Sequence, residues 1–325
     1  MAATKRHLDF IVIGAQKAGT TSLFEYLRRH PQLALPASKE IPYFSHDRRY
    51  GGDWDEYLAK AFAFADTESR WGTVTPHYMS GGIYEGSVPG PPPASDERTV
   101  PLRIHERLPG VRLVALIRDP VERARSHHAM AVMNGWERRD FPTAVRELLS
   151  PDALDAARRV VSETTGYIVW GEYGRILRGY LDVFPREQLL VQFTAELRSA
   201  PAVVVRRVYD FLGVDPDYVP DNLGTTYRPG GSTRRLHWLD LTKLQTKVAS
   251  STAARTLWHS LPESGRRRVD QTFDRVNYRA QLWNRRASGT LAPSGEDHID
   301  DVLRAHYEED ARRLQSLLGT SPPWV

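Results

Sequence analysis

The chain lacks cysteine, and its first apolar run is short. In 325 residues, the absence of cysteine excludes disulfides, thiolate zinc sites, iron–sulfur clusters and a cysteine nucleophile. The run from Phe10 to Ile13 ends at Gly14, which makes it too short for a signal-peptide core or a membrane span. We therefore expect a soluble, cytoplasmic protein with no membrane partner.

Neither sign of charge is in large excess. The chain has 44 Lys and Arg residues against 40 Asp and Glu residues, a formal net charge of +4, so we expect no nucleic-acid partner. No group of His, Asp and Glu has the spacing of a metal site, and we predict no metal requirement. The content of 41% hydrophobic residues is typical of a globular protein. The length permits one large domain or two modest ones, and we favour a single domain over residues 1–325.

Short apolar runs alternate along the chain with helical patterns. Three runs have the length and composition of buried strands: Leu8–Ile13, Val111–Ile117 and Leu189–Phe193. Apolar residues at helical spacing follow each run and predict helices over Thr20–His30, Pro120–Asn134 and Ala200–Leu212. Strands that alternate with helices indicate an α/β fold with a mostly parallel sheet flanked by helices.

Local signals predict where several elements begin and end. Thr20 or Thr21 is predicted to cap the first helix, and Gly213 to close the third. A further helix is predicted over His298–Leu318. The Gly- and Pro-rich segment 85–95 has too little apolar content to pack, so it is predicted to be an exposed loop.

A glycine-bounded loop joins the first predicted strand to the first predicted helix. Its residues are Gly14, Ala15, Gln16, Lys17, Ala18, Gly19, Thr20, Thr21 and Ser22. Small residues let backbone N–H groups approach an anion, and the following helix directs its positive end to the same place. Lys17 adds a full positive charge, and the three hydroxyls add donors. The loop is therefore predicted to bind a phosphate or a similar oxyanion, with a plain strand-to-helix turn as the alternative.

The loop differs from the standard P-loop in the place of its lysine. The pattern Gly-x4-Gly-Lys-Ser/Thr would put lysine at position 20, where this chain has Thr20. A P-loop kinase or nucleotide hydrolase would also need Mg²⁺ and an aspartate at a strand end. Such an enzyme is an alternative with less support.

A second anion-binding pattern follows the second predicted strand. Arg118 comes directly after the strand, and Ser126 lies about two helical turns further along. The planar donor fork of arginine and the serine hydroxyl suit a doubly charged phosphate. If Arg118 and Ser126 do not bind an anion, the segment is only a helix N-terminus with Asp119 near its cap. Arg123 and Arg125 are expected to be solvated charges.

Both patterns resemble the nucleotide motifs of sulfotransferases that use 3′-phosphoadenosine-5′-phosphosulfate (PAPS). The run Ile13–Leu23 is similar to the 5′-phosphosulfate-binding loop of the carbohydrate, heparan-sulfate-type branch and its bacterial relatives. Arg118 and Ser126 match the motif that holds the 3′-phosphate. The resemblance implies a P-loop-like parallel sheet, PAPS as donor and 3′,5′-adenosine bisphosphate (PAP) as product. It implies nucleotide contacts from Gln16, Lys17, Ala18, Gly19, Thr20, Thr21 and Ser22.

The segment after the first helix resembles the family's Lys-Glu-x-x-x-Phe motif. An acidic residue beside aromatic neighbours can be partly desolvated and take a proton from a hydroxyl or an amine. The resemblance makes Glu40 the general base, with Lys17 stabilising charge on the transferred group. Without the resemblance, Lys39 and Glu40 form only a surface ion pair. Acceptor contacts are expected from Lys39, Tyr43, Phe44, His77 and Tyr78.

Two positions depart from the family pattern on the acceptor side. Pro42 stands where the heparan-sulfate-type enzymes often have histidine, and Val74 stands at a lysine position of the element Thr73–Tyr78. The loss of this cation argues against a heavily sulfated glycan and favours a small-molecule or glycoside acceptor. His77 is a candidate auxiliary acid, base or acceptor contact. Three other histidines rank below it as proton acceptors: His46, His127 and His128.

A basic loop over residues 222–236 completes the predicted site. Family members close a loop here over the nucleotide, and the candidates in this chain are Tyr227, Arg228, Arg234 and Arg235. A surface loop with solvated arginines is an equally weighted alternative.

The abundance of arginine suggests a bacterial cytosolic enzyme of secondary metabolism or glycoconjugate assembly. A non-catalytic nucleotide- or glycan-binding module, which kept the fold and lost the base, is the alternative from a different functional class. It would bind nucleotide tightly without turnover.

Overall fold

A five-stranded parallel sheet organises the structure, a computed structural model that describes residues 7–36, 39–63, 65, 69–82, 96–227, 232–234, 285–287 and 297–325. Its strands are β1 (Phe10–Gly14), β2 (Leu33–Ala34), β3 (Arg70–Val74), β4 (Arg112–Ile117) and β5 (Leu189–Phe193). They lie in the order β2-β3-β1-β4-β5, and each neighbouring pair is parallel. A separate antiparallel pair joins β6 (Ser232–Arg234) to β7 (Arg285–Ala287).

Helices connect the parallel strands and follow the last of them. They are α1 (Thr20–Leu27), α2 (Asp47–Tyr50), α3 (Trp54–Ala61), α4 (Thr99–Arg107), α5 (Pro120–Met133), α6 (Phe141–Leu148), α7 (Pro151–Arg159), α8 (Tyr173–Leu181), α9 (Thr194–Ser199), α10 (Pro201–Leu212) and a C-terminal helix (Asp297–Leu318). Single 3₁₀ turns span Pro76–Met79, Val169–Gly171 and Arg186–Gln188. Across the described ranges, no helix combines the length and apolar character that a membrane span requires.

The predicted α/β architecture is confirmed, including all three predicted strands and the helices that follow them. Gly213 closes α10 with a φ of 68°, as expected for a glycine after a helix. The strand β3 was not predicted, because its sequence mixes a charged residue, a glycine and a threonine with only two large apolar residues. The predicted loop 85–95 lies outside the described residues.

The start of α1 differs from the prediction. Gly19, with a φ of 94°, is the residue before the first helical turn, and no side chain caps that turn. Thr20 is therefore the first helical residue and not the cap. Glycine adopts this left-handed conformation at low cost. The first N–H groups of α1 are thus left without a side-chain cap, and they can bind a ligand.

The middle of the sheet is fully buried. All of residues 10–13 and 113–117 have 0% exposure. Such continuous apolar strands are typical of parallel sheets covered on both faces, and each buried Ile, Leu or Val side chain contributes about 1.5–3 kcal/mol. This packing fixes the carboxyl ends of β1 and β4.

The side of β1 on which the chain adds strands changes between β3 and β4. From β1 the chain builds β2 and β3 on one side, and then crosses to build β4 and β5 on the other. Ligands of open parallel sheets bind in the crevice beyond the carboxyl ends of the strands at such a point. The loops after β1 and β4 should therefore flank the functional site.

Candidate functional site

A cavity of about 460 Å³, here called the cleft, lies beyond the carboxyl ends of the parallel strands. Segments that follow β1, β3, β4 and β5 line it. The predicted site residues on its walls are Gln16, Lys17, Gly19, Thr20, Thr21, Ser22, Lys39, Glu40, His77, Arg118, Ser126 and Tyr227. The structure therefore brings the two anion-binding patterns and the Glu40 segment to one place. We call the side formed by residues 14–22 and 118–126 the donor half, and the side formed by residues 39–41, 76–77 and 163 the acceptor half.

The backbone of the donor half takes unusual conformations. Lys17 has a φ of 69°, which is rare for a residue with a side chain and occurs most often at functional sites. A Cβ at Gly14 would lie 2.6 Å from the Cβ of Met79, so only glycine fits where the loop begins. The first turn of α1 contains no acidic residue and has no side-chain cap. Its N–H groups and Lys17 together form a positive environment suited to an anion.

Thr194, which sequence analysis missed, ties this loop to the neighbouring strands. Its hydroxyl lies 2.6 Å from the carbonyl oxygen of Ala18 and 3.0 Å from that of Ile117. The N–H of Ala15 donates to the carbonyl of Leu116 over 2.6 Å. Thr194 directly follows β5, so its position next to the loop depends on the order of the strands. No local motif signals such a contact.

Arg118 is oriented by a carboxylate on the same helix end. Its Nε donates to Glu122 Oε2 over 2.8 Å, and its Nη1 donates to the carbonyl of Lys17 over 3.3 Å. Partial burial would raise the pKa of Glu122, but the hydrogen bonds and charges of Arg118 and Arg198 hold it below its ordinary value. Arg198, on α9, also lines the cleft and was not predicted. Ser126 lines the cleft from the second turn of α5.

The start of the predicted closing loop packs on α1. The N–H of Tyr227 donates to Ser22 Oγ over 3.0 Å, and the Tyr26 hydroxyl donates to the carbonyl of Thr225 over 2.8 Å. Asn222 donates through its side chain to the carbonyl of Glu25 over 2.9 Å. Ser22 therefore joins α1 to this loop, although it was predicted as a nucleotide contact. Of the three predicted arginines, Arg228 and Arg235 lie outside the described residues, and Arg234 lies in β6, where only its backbone is described.

The segment that carries Glu40 is fixed through its neighbour Ile41. The Ile41 N–H donates to Thr75 Oγ1 over 3.2 Å, and the Tyr78 hydroxyl donates to the Ile41 carbonyl over 2.7 Å. These bonds hold Glu40 beside the element that carries His77. Lys39 Nζ lies 3.0 Å from Glu40 Oε1, so the surface ion pair expected from the sequence is present, but at the edge of the cleft.

Three residues expected to contact the acceptor are buried in the core. Tyr43, Phe44 and Tyr78 have exposures of 1%, 1% and 2%. Tyr43 and Phe44 pack against the ring of Trp54, Tyr78 packs against that of Phe44, and none of the three lines the cleft. Their rings form an aromatic cluster of the core. The structure thus makes them supports for the Glu40 segment and not cleft walls.

Glu163, which sequence analysis missed, faces His77 across the acceptor half. It is 9% exposed and accepts hydrogen bonds from Gln16 Nε2 and His127 Nε2, each over 2.8 Å. The Nε2 of His77 lies 3.6 Å from Glu163 Oε1 and 3.9 Å from Glu40 Oε2. The turn after α7 that carries Glu163 has no recognisable motif. Only the three-dimensional structure places this carboxylate in the cleft.

The prediction that Arg123 is a solvated charge is wrong. Arg123 has 0% exposure, donates to the carbonyl of Tyr167 and lies 3.3 Å from Nδ1 of His127. It faces inward because position 123 falls on the buried side of α5. Arg125, two residues further, is partly exposed and pairs with Asp300 at 2.8 Å.

The three lower-ranked histidines are unsuited to act as bases in the cleft. Burial, aided by the charge of Arg123 and opposed by Glu163, lowers the pKa of His127 to about 4. His128 lies 3.0 Å through Nε2 from the carbonyl of Arg139, and it does not line the cleft. Burial also lowers the pKa of His46 to about 4. Among the described residues, His77 is the histidine that lines the cleft.

A second cavity, of about 370 Å³, lies at the opposite end of the sheet. Asp9, Arg70, Arg107 and Arg112 are among its lining residues. They lie at the amino ends of β1, β3 and β4, where parallel sheets seldom bind ligands. The cleft is therefore the candidate functional site.

Comparison with known proteins identifies relatives of this chain. A model of the sulfotransferase domain matches residues 7–228. Human carbohydrate sulfotransferase 15 is 26% identical over 269 residues, which cover 70% of this chain and 47% of that protein. Mouse heparan sulfate glucosamine 3-O-sulfotransferase 3B1 is 29% identical over 213 residues, which cover 66% of this chain and 48% of that protein. This chain thus matches about half the length of these relatives.

A solved structure shares the fold over nearly the full length. The crystal structure of a sulfotransferase from Alicyclobacillus acidocaldarius has a TM-score of 0.62 at 22% identity, and the match covers 98% of each chain. At this identity the likeness establishes the fold alone. The domain model covers well over half of the residues, so the chain belongs to the sulfotransferase domain family.

Proposed function

We propose that the chain is a PAPS-dependent sulfotransferase that transfers a sulfuryl group to a hydroxyl, or less often an amine, of a small-molecule or glycoside acceptor. PAPS is the general donor of the family to which the chain belongs. The observation that carries the proposal is the convergence of the Lys17 loop, the Arg118 and Ser126 pair and the Glu40 carboxylate on one cleft.

The residues of the donor half fit the phosphate groups of PAPS. The uncapped N-terminus of α1, with no acidic residue in its first turn, suits the 5′-phosphosulfate group. Glycine at position 14 permits a close approach of the chain, since a side chain there would collide with Met79. Arg118 and Ser126 would hold the 3′-phosphate, which ATP and ADP lack, and Arg198 adds a further positive charge beside them.

When bound, PAPS supplies the sulfuryl group and a phosphate leaving group. The acceptor oxygen forms a new bond to sulfur, and the bond from sulfur to the 5′-phosphate oxygen breaks with its electron pair remaining on PAP. Glu40 takes the acceptor proton, with His77 as its auxiliary. Lys17 and the first N–H groups of α1 stabilise the negative charge that develops on the transferred group and the leaving oxygen.

The acceptor half supports an acceptor of low negative charge. Glu40 and Glu163 both lie there, and Val74 stands where related enzymes have lysine. Met130 and Trp136 add apolar surface to the cleft, and Trp136 is 52% exposed. An exposed aromatic ring suits the apolar face of a sugar or an aryl group. These features favour a glycoside or a small ring compound over a heavily sulfated glycan.

Calorimetric binding of PAP, compared with ADP and ATP with and without Mg²⁺, tests the donor assignment. We expect tight, metal-independent binding that requires the 3′-phosphate. Turnover of PAPS with p-nitrophenyl glycosides and simple phenols as acceptor probes then tests transfer. Preference for Mg·ATP would overturn the proposal in favour of a kinase, and tight PAP binding without turnover would indicate a non-catalytic module.

A further inference from the structure

The carboxylate of Glu163 connects the two halves of the cleft, and the proposed transfer reaction does not yet use it. Its Oε1 receives the side-chain N–H of Gln16, a donor-loop residue, over 2.8 Å. The same oxygen lies 3.6 Å from Nε2 of His77 in the acceptor half. Glu163 is therefore the group through which the donor loop and the acceptor wall are in contact.

Glu163 is held as an acceptor of hydrogen bonds and not as a base. Arg123 can only donate, so its approach within 3.3 Å of His127 Nδ1 leaves the hydrogen of the neutral imidazole on Nε2. That hydrogen points to Glu163 Oε2 over 2.8 Å. Burial would raise the pKa of Glu163, but the hydrogen bond from His127 and the neighbouring donors hold it below its ordinary value. A carboxylate stabilised in this way is a poor proton acceptor.

His77 lies between two carboxylates. Its Nε2 is 3.6 Å from Glu163 and 3.9 Å from Glu40. Both distances exceed that of a hydrogen bond, so His77 interacts with the two carboxylates electrostatically. The Trp170 and His77 rings pack edge-to-face, with ring centroids 5.9 Å apart. Glu163 is held by hydrogen bonds from Gln16 and His127, so it is the fixed carboxylate against which the imidazole is placed beside Glu40.

We propose that Glu163, held in place by hydrogen bonds from Gln16 and His127, is a positioning residue of the transfer reaction, which acts through His77 to place the Glu40 carboxylate at the acceptor. The inference rests on the proposed function. It adds a second carboxylate to the site, with a role distinct from that of the base.

The test compares Glu163→Gln with a matched buried glutamate outside the cleft. Glu172 is 3% exposed and bonds to Arg158, Arg175 and His306, so Glu172→Gln also removes a charge from a buried network. With PAPS and p-nitrophenyl glycosides as probes, Glu163→Gln should lower kcat about 100-fold through misplacement of the base. The acceptor KM and the Kd for PAP should change less than about threefold. Glu172→Gln should lower Tm and leave kcat near the native value.

A double-mutant cycle with His77→Gln identifies the route of the effect. If Glu163 acts through His77, the double variant should be no slower than the slower single variant, within about twofold. If the kcat losses of the two single variants multiply in the double variant, Glu163 acts independently of His77 and the proposal is overturned. A kcat for Glu163→Gln within about twofold of native would also overturn it.

Two further measurements distinguish a positioning role of Glu163 from a loss of folding and from a failure of the proposed function. If Glu163→Gln melts below the assay temperature, Glu163→Asp keeps the charge but withdraws it by about one methylene length. It should lower kcat about tenfold, and only while His77 is present. A native protein that binds PAP but transfers no sulfuryl group to any probe would overturn the proposed function and this inference together. Native turnover with an unimpaired Glu163 variant would overturn this inference alone.

Discussion

The donor half of the cleft is built from neighbours in the chain, whereas the acceptor half is built from residues that lie far apart in it. Residues 14–22 and 118–126 each supply a contiguous part of the donor half. In the acceptor half, His77 lies 86 positions from Glu163 and 37 positions from Glu40 in the sequence, although its Nε2 is 3.6 Å from the one and 3.9 Å from the other. The first half relies on backbone conformation at strand ends, and the second on a network of side chains.

The two halves of the cleft meet different physical requirements. A nucleotide phosphate is recognised by N–H groups and fixed cations, which tolerate variation in the surrounding side chains. Placement of a base beside a hydroxyl depends on hydrogen bonds that single substitutions can break. The acceptor half should therefore govern turnover, and the donor half should govern nucleotide affinity.

Replacement of the base should produce the largest effect and confine it to turnover. Glu40→Gln removes the proton acceptor, so we expect kcat to fall about 10²–10⁴-fold. The affinity for PAP should stay within about twofold, because Glu40 lies in the acceptor half. Steady-state kinetics and calorimetry measure the two quantities. The control is Glu196→Gln, because Glu196 is partly exposed, pairs with Arg207 and does not line the cleft. Near-native turnover of Glu40→Gln would place the base elsewhere.

The donor half could be predicted because its signals are local. Gly14, Lys17 and Gly19 lie in one run after an apolar strand, and Arg118 and Ser126 lie in another. The geometry of a strand followed by a helix directs each run to the same edge of the sheet. Even here the cap of α1 was misplaced, because Gly19 takes the left-handed conformation and moves the helix start by one residue.

The acceptor half could be predicted only in part because its contacts are distant in sequence. Glu163 follows no motif, and its neighbours come from three separate segments. Arg123 looked like a surface charge because charged residues surround it, although its position on α5 turns it inward. Tyr43 and Tyr78 looked like cleft residues because they adjoin Glu40 and His77, but their rings pack in the core. Adjacency in sequence does not determine which face a side chain takes.

Loss of Arg118 should weaken nucleotide binding selectively. Charged hydrogen bonds of this kind contribute about 1.5–3 kcal/mol, so Arg118→Ala should lower PAP affinity by at least about tenfold. ADP, which lacks a 3′-phosphate, should lose much less. Arg125→Ala is the control, because Arg125 lies nearby on α5, pairs with Asp300 and does not line the cleft. Equal losses for PAP and ADP would show that Arg118 does not bind the 3′-phosphate.

Mild acid should destabilise the fold through a buried histidine that contacts the acceptor half at Glu163. His127 is fully buried with a pKa lowered to about 4, while an unfolded histidine titrates near pH 6.5. Between these values the unfolded chain binds a proton that the folded chain does not, so stability falls as pH falls, by at most about 1.4 kcal/mol per pH unit. His46, with its pKa also lowered to about 4, acts in the same direction.

Thermal melts between pH 7 and pH 4.5 would measure this slope. The window lies above the range in which carboxylates with lowered pKa values, such as Glu163, take up protons. His127→Gln retains an N–H donor for Glu163 and removes one titrating group, so its Tm should depend less steeply on pH. Identical slopes for the variant and the native chain would show that His127 is not kept neutral in the fold.

The smallest effect is expected from two glycines with positive φ, and one of them serves as a matched control for the other. Gly19 has a φ of 94° at the start of α1, and Gly135 has a φ of 74° beyond the end of α5, where no atom of the described residues lies within 4 Å of an added Cβ. Alanine at either position should cost about 1 kcal/mol of stability, because the strain arises from the backbone and not from packing. Only Gly19→Ala should also weaken PAP binding, since relaxation of its φ would turn the first N–H groups of α1 away from the phosphate. Equal PAP affinities for the two variants, at equal losses in Tm, would show that nucleotide binding does not depend on this turn.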